Sequence, residues 1–206
     1  MRIGFDLDGT LITCREKQVY LMDILAKVYD INLDKDFFWE LKRGGANNID
    51  SLRKMKICEN IVLNLNDKWI MDIENLEWLF FDKKIDGVSL FLENLIKKGH
   101  SLHLISARNN KFNSLMQLEI LNLTKFFKTI DFVSQRKNEN KSFFLKKRGV
   151  HLYIGDTEYD SLSCKESNIQ SILVCSGMRN KSYLANLGVL VVDNVLDLDG
   201  ILYEGN

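Results

Sequence analysis

The sequence predicts an α/β fold: a parallel sheet layered between helices, with an all-helical segment inserted after the first strand. Three observations predict it. From Asp86 onward, short apolar runs alternate with segments of helical periodicity roughly ten residues long. The first run, Arg2 to Phe5, is apolar and stops at Asp6, as a buried strand does. Between Cys14 and Phe81 the apolar residues recur at helical spacing instead, with no strand-like run among them.

The elements follow in order. After the strand Arg2 to Phe5, Gly9-Thr10 breaks the chain. Val19, Met22, Leu25, Ala26 and Tyr29 mark one helix, and Phe37, Phe38 and Leu41 a second. Arg43 to Asn48 is a loop by composition. Leu52, Met55, Ile61, Leu65 and Trp69 mark further helices, and Leu76, Leu79 and Phe80 a short last one. Val88 to Lys98 is a helix stopped by Gly99. Then come a strand at Leu102 to Ile105, a helix at Asn113 to Asn122, and a strand at Ile130 to Val133. A helix at Lys141 to Arg148 leads to the strand Leu152 to Ile154, and a helix at Asp160 to Ser167 leads to the strand Ser171 to Cys175. A short helix at Tyr183 to Leu187 and a strand at Val189 to Val192 complete the pattern. Residues 1–13 and 83–206 therefore make the α/β core, and residues 14–82 the helical insertion.

Composition narrows the function classes. The chain of 206 residues is long enough for one domain with an insertion, and for a core without disulfide staples. Lys plus Arg and Asp plus Glu both number 28, a balance that argues against a dedicated nucleic-acid binder. No apolar run reaches the roughly 18 residues of a membrane span, and the opening Met1 to Asp6 lacks a signal-peptide stretch, so a cytoplasmic protein is expected. Cys14, Cys58, Cys164 and Cys175 are scattered, as reduced thiols are, and do not pair with His100, His103 or His151 at zinc-ligand spacing.

In open parallel sheets, chemistry gathers beyond the carboxyl ends of the strands. The first strand is followed by Asp6-Leu7-Asp8-Gly9-Thr10, the second by Ser106-Ala107-Arg108, and the strand at Leu152 to Ile154 by Gly155-Asp156 with Asp160 four residues on. Lys141 opens the helix before that strand. Asp6 and Asp8, two apart in extended chain, project to the same side, and Gly9 lets the backbone turn sharply. Carboxylates brought this close repel, and a divalent cation relieves the repulsion. Magnesium suits such a set, since it takes a few carboxylate oxygens plus waters and a phosphate. Lys141 would offset the charge of nucleophile and phosphate.

These segments resemble, in order, the four motifs of the haloacid-dehalogenase-like hydrolases: Asp6-Leu7-Asp8-Gly9-Thr10, Leu104-Ile105-Ser106, Lys141, and Gly155-Asp156-Thr157-Glu158-Tyr159-Asp160. The helical insertion resembles the cap of the phosphoglycolate phosphatase and β-phosphoglucomutase branch, although Asp86 stands where that branch often has proline. The resemblance implies a three-layer, Rossmann-like core under a helical cap, and a magnesium-dependent phosphatase acting on a small soluble phosphomonoester. It implies Asp6 as nucleophile, forming an aspartyl-phosphate, and Asp8 as general acid and then base. It implies magnesium held by the Asp6 carboxylate, the Asp8 main-chain carbonyl and the Asp156 carboxylate, with Asp160 in support. It implies Ser106 and Lys141 on the phosphate, and position suggests Arg108 beside them. Dehalogenases of the superfamily lack the second acid, so Asp8 points to phosphoryl chemistry. The cap loop is expected to choose the substrate, with Arg43, Gly44, Gly45 and Asn47 as its candidate residues.

Plainer readings stand beside these. Ser106 also suits a strand-end cap, Asp160 a first-turn helix acid, and the Arg43–Asn47 segment an ordinary turn between helices. Lys137 is the alternative to Lys141, since basic residues cluster there. Trp39, Trp69 and Trp78 read as packing residues, and His100 and His103 as surface or packed histidines. Asp197-Leu198-Asp199-Gly200 repeats the acidic string but reads as structural, because no later motif follows it. A phosphomutase using the same residues is the alternative activity; a non-catalytic regulatory module is a further alternative, disfavoured because Asp6, Asp8 and Asp156 are all present. Oligomeric state is not legible.

Overall fold

Six strands form one parallel sheet in the computed structural model, which describes residues 1–134, 137 and 139–202. They are β1 (Arg2–Phe5), β2 (Ser101–Ala107), β3 (Thr129–Val133), β4 (Leu152–Gly155), β5 (Gln170–Val174) and β6 (Leu190–Val192). The order across the sheet is β3-β2-β1-β4-β5-β6, with every neighbouring pair parallel. The chain runs outward from β1 in one direction and then in the other. The crevice where such a sheet binds ligands therefore opens beside β1. Residues 203–206, the end of the expected core, lie outside the described residues.

Strand periodicity explains why both faces of the sheet are covered. Ile3, Phe5, Leu102, Leu104, Leu152 and Ile154 face one side, where they pack against Val88, Phe91, Leu92 and Leu95 of α6 (Val88–Lys97) and Leu118 of α7 (Lys111–Ile120). Ile105, Val133 and Tyr153 face the other side, against Leu145 of α8 (Lys141–Arg148) and Cys164 of α9 (Glu158–Ser167). Gly4 lies on that second face because a Cβ there would fall 2.7 Å from the Tyr153 ring. Two short helices, α10 (Lys181–Leu184) and α11 (Leu198–Ile201), follow β5 and β6.

Between β1 and α6 the chain forms α1 (Arg15–Lys27), α2 (Lys35–Arg43), α3 (Asn48–Lys54), α4 (Glu59–Asp72) and α5 (Leu76–Leu79). Val19, Met22, Ala26, Phe38, Trp39, Leu52, Val62 and Leu65 make a second apolar cluster within this layer. Trp69 packs against it, and Trp78 stacks on Phe81, so the tryptophans pack as expected. The two segments that enter and leave the layer are tied together: Thr13 N–H donates to Lys83 C=O at 2.8 Å, and Ile12 bridges Lys84.

The sequence places most elements within two residues of their observed ends. Strand β2 runs on through Ala107 because β3 pairs with Ser106 and Ala107. Helix α7 starts two residues early because the Asn110 side chain caps it, accepting from Asn113 N–H at 3.1 Å. His103 lies inside β2, buried, with its ring on the Thr129 hydroxyl at 2.8 Å.

Candidate active site

Strands β1 and β4 are neighbours, with Phe5 beside Ile154, so the acids that follow them are brought together. Asp6 N–H donates to Ile154 C=O at 2.8 Å. Gly9 turns the chain at φ +76°, and a Cβ on it would collide with the Asp156 carboxylate. Gly177, after β5, closes on that carboxylate from its own loop, where Met178 N–H donates to Asp156 Oδ2 at 2.6 Å. Asp160 sits in the first turn of α9. Its Oδ2 accepts from Thr157 N–H at 3.0 Å, Thr157 Oγ1 at 2.7 Å and Asp156 N–H at 3.2 Å. Its Oδ1 accepts from Lys141 Nζ at 2.6 Å, and the same ammonium donates to Asp6 Oδ1 at 3.0 Å.

Asp6, Asp156 and Asp160 each offer an oxygen within 4.8 Å of the others, and all three residues are buried. Burial is the largest influence on Asp6; with Asp160 and Asp8 close by it outweighs Lys141 and pushes the pKa up to about 6. Asp156, buried and facing Asp6 and Asp160, is pushed well above the ordinary carboxylate range. Burial disfavours the Lys141 ammonium, but Asp160 and Asp6 overcome it and hold its pKa well above the usual value. A hard, oxygen-seeking cation fits this donor set: it would relieve the repulsion that the single ammonium leaves.

Asp8 lies two residues from Asp6 in the opposite environment. Arg108 forks onto it, with Nε donating to Oδ2 at 2.8 Å and Nη2 to Oδ1 at 2.7 Å. Lys17 Nζ adds a bond to Oδ1 at 2.8 Å. Burial alone would raise the Asp8 pKa; Arg108 and Lys17 outweigh it and hold the group down at about 2. Two neighbouring carboxylates are thus driven apart, one toward the neutral range and one fully ionised.

Among the other expected site residues, Ser106 is buried near the carboxyl end of β2, paired with Phe132. Arg108 sits on Asp8 and on Gln117 Oε1 at 3.3 Å, rather than standing as an unengaged cation. Lys137 is exposed, and Lys141 is the lysine that reaches Asp6. The Arg43 guanidinium donates to Cys175 C=O, and Asn180 N–H donates to Arg43 C=O at 2.9 Å. Gly44 closes the end of α2, Gly45 turns at φ +97° against the Tyr183 ring, and Asn47 caps α3 by accepting from Asp50 N–H at 2.8 Å. This segment seats the helical layer on the loop that carries Met178. Its Arg43 and Asn47 side chains have partners outside the acid cluster.

Several site residues escape a reading by motif. Arg179 forks onto Glu158 at 2.7 and 2.8 Å and donates to Lys42 C=O at 2.7 Å. Glu74, on the far flank, accepts from the backbone N–H groups of Asn109 and Asn110. Together these contacts fasten the helical layer to the loops that follow β2 and β5. Arg179 follows β5, and the strand-end rule applied to β5 would have found it. Lys17, Asp82, Gln117 and Glu74 carry no signal in a single sequence.

A sheet in this order, with buried acids at the carboxyl ends of β1 and β4, defines an α/β protein whose acid cluster sits at the topological switch point, where open sheets of this kind bind ligands. The profile of the haloacid dehalogenase-like hydrolases matches residues 3–174, and the chain belongs to that family of enzymes. Pyrophosphatase PpaX of Oceanobacillus iheyensis is 26% identical over 208 residues, spanning 95% of this chain and 94% of that protein. A haloacid dehalogenase-like family hydrolase from Streptococcus pneumoniae superposes with a TM-score of 0.79 at 16% identity, over 98% of this chain and 97% of that one. A hydrolase from Pseudomonas syringae does so with a TM-score of 0.67 at 22% identity, over 100% and 99%. At those identities the two solved structures establish likeness of fold. No helix among the described residues is long and apolar enough to cross a membrane.

Proposed function

We propose that the chain is a magnesium-dependent phosphatase that hydrolyses a small phosphomonoester through an aspartyl-phosphate on Asp6, with residues 14–82 acting as the cap. The observation that carries this reading is the division of the two first-motif acids. Asp6 joins a buried carboxylate cluster under Lys141, and Asp8 stands outside it on Arg108 and Lys17. The likeness to a protein named as a pyrophosphatase supports phosphate as the group transferred.

Asp6 attacks phosphorus; the bond to the ester oxygen breaks, and that oxygen takes a proton from Asp8. Asp8, now a carboxylate, takes a proton from water as the water oxygen attacks phosphorus. The bond to Asp6 then breaks, freeing phosphate and restoring the Asp6 carboxylate. Ser106 and Lys141 hold phosphate oxygens, and Lys141 balances the charge on Asp6. The Asp6 and Asp156 carboxylates and the Asp8 main-chain carbonyl would hold magnesium, which when bound supplies charge neutralisation between nucleophile and phosphate. Asp160, already bonded to Thr157, Asp156 N–H and Lys141, keeps the donors in place. As arranged here Asp8 is ionised, the state that accepts a proton from water. To donate first, it must loosen from Arg108 or Lys17. That makes Arg108 a partner of Asp8 before any contact with phosphate. The Arg43–Asn47 segment influences substrate choice through the way it seats the cap.

Phosphate release from a panel of small phosphomonoesters tests the reading, run with magnesium, with EDTA and with Asp6→Asn. Turnover that requires both metal and Asp6 supports it. Metal-independent turnover, or turnover retained by Asp6→Asn, overturns it.

A further inference from the structure

Tyr153 is not among the motif residues, yet its side chain reaches two of the elements that build the site. It belongs to β4, is fully buried, and stands beside Gly4 of β1 in the sheet register. Its hydroxyl donates to Ile105 C=O of β2 at 2.5 Å, so the side chain runs from β4 across β1 to β2. Gly4 makes the crossing possible: a Cβ there would lie 2.7 Å from Tyr153 Cδ2 and 3.3 Å from Cε2. Ile105 stands one residue beyond Leu104, the last β2 partner of β1, and directly before Ser106. Lys141 Nζ, the cation that bonds Asp6 and Asp160, lies over the ring, 5.3 Å from its centroid.

Packing alone does not call for this residue. The cluster around the ring is apolar, made by Ile105, Val133, Leu145, Val150 and Cys164, and a phenylalanine would fill the same space. A hydroxyl among such neighbours costs free energy unless it is bonded. Burial pushes the Tyr153 hydroxyl well above its ordinary pKa, so it stays a neutral donor to Ile105 C=O and ties β4 to β2. The ring has a separate use. An ammonium carries three N–H donors, and Asp6 and Asp160 take two of those on Lys141. A π-face attracts a cation without accepting one of those bonds. The ring therefore restrains Lys141 and leaves its third donor for an incoming oxygen.

We propose that Tyr153 is a positioning residue for the phosphate: its ring holds the Lys141 ammonium, its hydroxyl holds the end of β2 that carries Ser106, and one stiff side chain thereby sets the spacing of the two groups that grip the phosphate oxygens. Gly4 acts through it, by leaving room for the ring. When Asp6 turns from partner of Lys141 to attacking group, the ring and Asp160 keep the ammonium where the phosphate needs it.

This inference rests on the phosphatase reading, and the test separates the two. Two quantities are measured with magnesium present: kcat/KM for the best ester of the phosphomonoester panel, and the affinity for inorganic phosphate by calorimetry. Tyr153→Leu removes both ring and hydroxyl, and each quantity should fall ~10–100-fold, as misplacement by about an ångström costs. Tyr153→Phe keeps the ring under Lys141 and should recover most of that loss, staying within ~3–10-fold of wild type. Val150→Ala trims the same apolar cluster where the chain enters β4, away from Lys141 and Ser106. It should lower the melting temperature while holding both quantities within about threefold, because a packing loss in a folded protein leaves the phosphate groups in place. Should Tyr153→Leu fail to fold, Gly4→Ala takes its place beside Tyr153→Phe: its methyl displaces the intact ring, and both quantities should again fall. Unchanged phosphate affinity and kcat/KM in Tyr153→Leu or Gly4→Ala, or a loss in Val150→Ala as large as theirs, would overturn the inference and leave the phosphatase reading standing. A wild-type protein that releases phosphate from no ester would overturn both.

Discussion

The chain contains the tetrapeptide Asp-Leu-Asp-Gly twice, at residues 6–9 and again at residues 197–200. The first copy leaves a central strand of the sheet; Asp6 is buried against Asp156 and Lys141, and the half-buried Asp8 is held by Arg108 and Lys17. The second copy ends a 3-10 turn (Val195–Asp197) and enters the short helix α11; Asp197 accepts from Asn194 N–H at 2.9 Å in the capping box of that turn, and Asp199 is exposed. Gly9 is needed at positive φ with no room for a Cβ, whereas a Cβ on Gly200 would meet nothing within 4 Å among the described residues. Identical residues therefore join a network of acids and cations in one place and cap a helical turn in the other. The difference lies in the neighbours that the sheet order supplies.

The largest expected effect falls on the first copy. Asp6→Asn should lower phosphate release by roughly 10⁴-fold or more, as loss of a nucleophile does, with the fold retained by circular dichroism. Lys141→Ala removes the counter-ion shared by Asp6 and Asp160. It should destabilise the metal-free protein by about 3–5 kcal/mol in a denaturant titration, because two buried carboxylates lose their partner. Arg108→Lys keeps the charge but loses the fork on Asp8. A fall of about 10–100-fold in turnover, within the range of acid–base help, is expected in steady-state assays.

The pH dependence should have opposite signs at the two acids of the first copy. The folded-state pKa of Asp6 is raised to about 6, above its unfolded value of 3.8. Its contribution to stability is therefore present below the unfolded value and is lost as pH rises through about 6. Asp8 is held at about 2, so its contribution is present above 3.8 and is lost as pH falls through about 2. Metal-free wild-type protein should lose stability between pH 4 and pH 7 relative to Asp6→Asn, and magnesium should offset that loss at pH 7. Thermal melts of both proteins with and without magnesium check the sign. The smallest effect belongs to the second copy: Asp197→Ala removes only the N3 half of a capping box on an exposed turn, and should leave turnover unchanged and the melting temperature within a few degrees of wild type.

Much of this was legible in the sequence because the fold repeats one unit. Each strand is an apolar run, each crossover a helical pattern, and the sheet order places strand-end residues along one edge. Asp6, Asp156, Asp160 and Lys141 could be grouped on that basis. Arg108 was placed near the site, but its fork on Asp8 was not legible: residues after a strand reveal position, not which neighbouring side chain a guanidinium meets. Lys17 and Asp82 were invisible for a different reason. They stand 65 residues apart in an inserted layer, and the pairing of residues 11–13 with residues 83–85 brings them together, with Lys17 Nζ 2.5 Å from Asp82 Oδ2. Of the expected loop Arg43 to Asn48, residues 44–47 lie between helices while Arg43 ends α2 and Asn48 begins α3, and the Arg43 and Asn47 side chains face the loop after β5 and the start of α3, which composition does not specify.

The central claim is the division of labour between Asp6 and Asp8, and trapping the phospho-enzyme tests it most directly. Asp8→Asn is mixed with p-nitrophenyl phosphate and magnesium, acid-quenched, and digested for mass spectrometry. The leaving group needs no acid but hydrolysis needs the base, so the account predicts a burst of nitrophenol of one equivalent and a phosphoryl group on Asp6. Asp6→Asn should give neither. Active wild-type protein with no burst and no phosphoryl-Asp6 in the Asp8→Asn variant would contradict it.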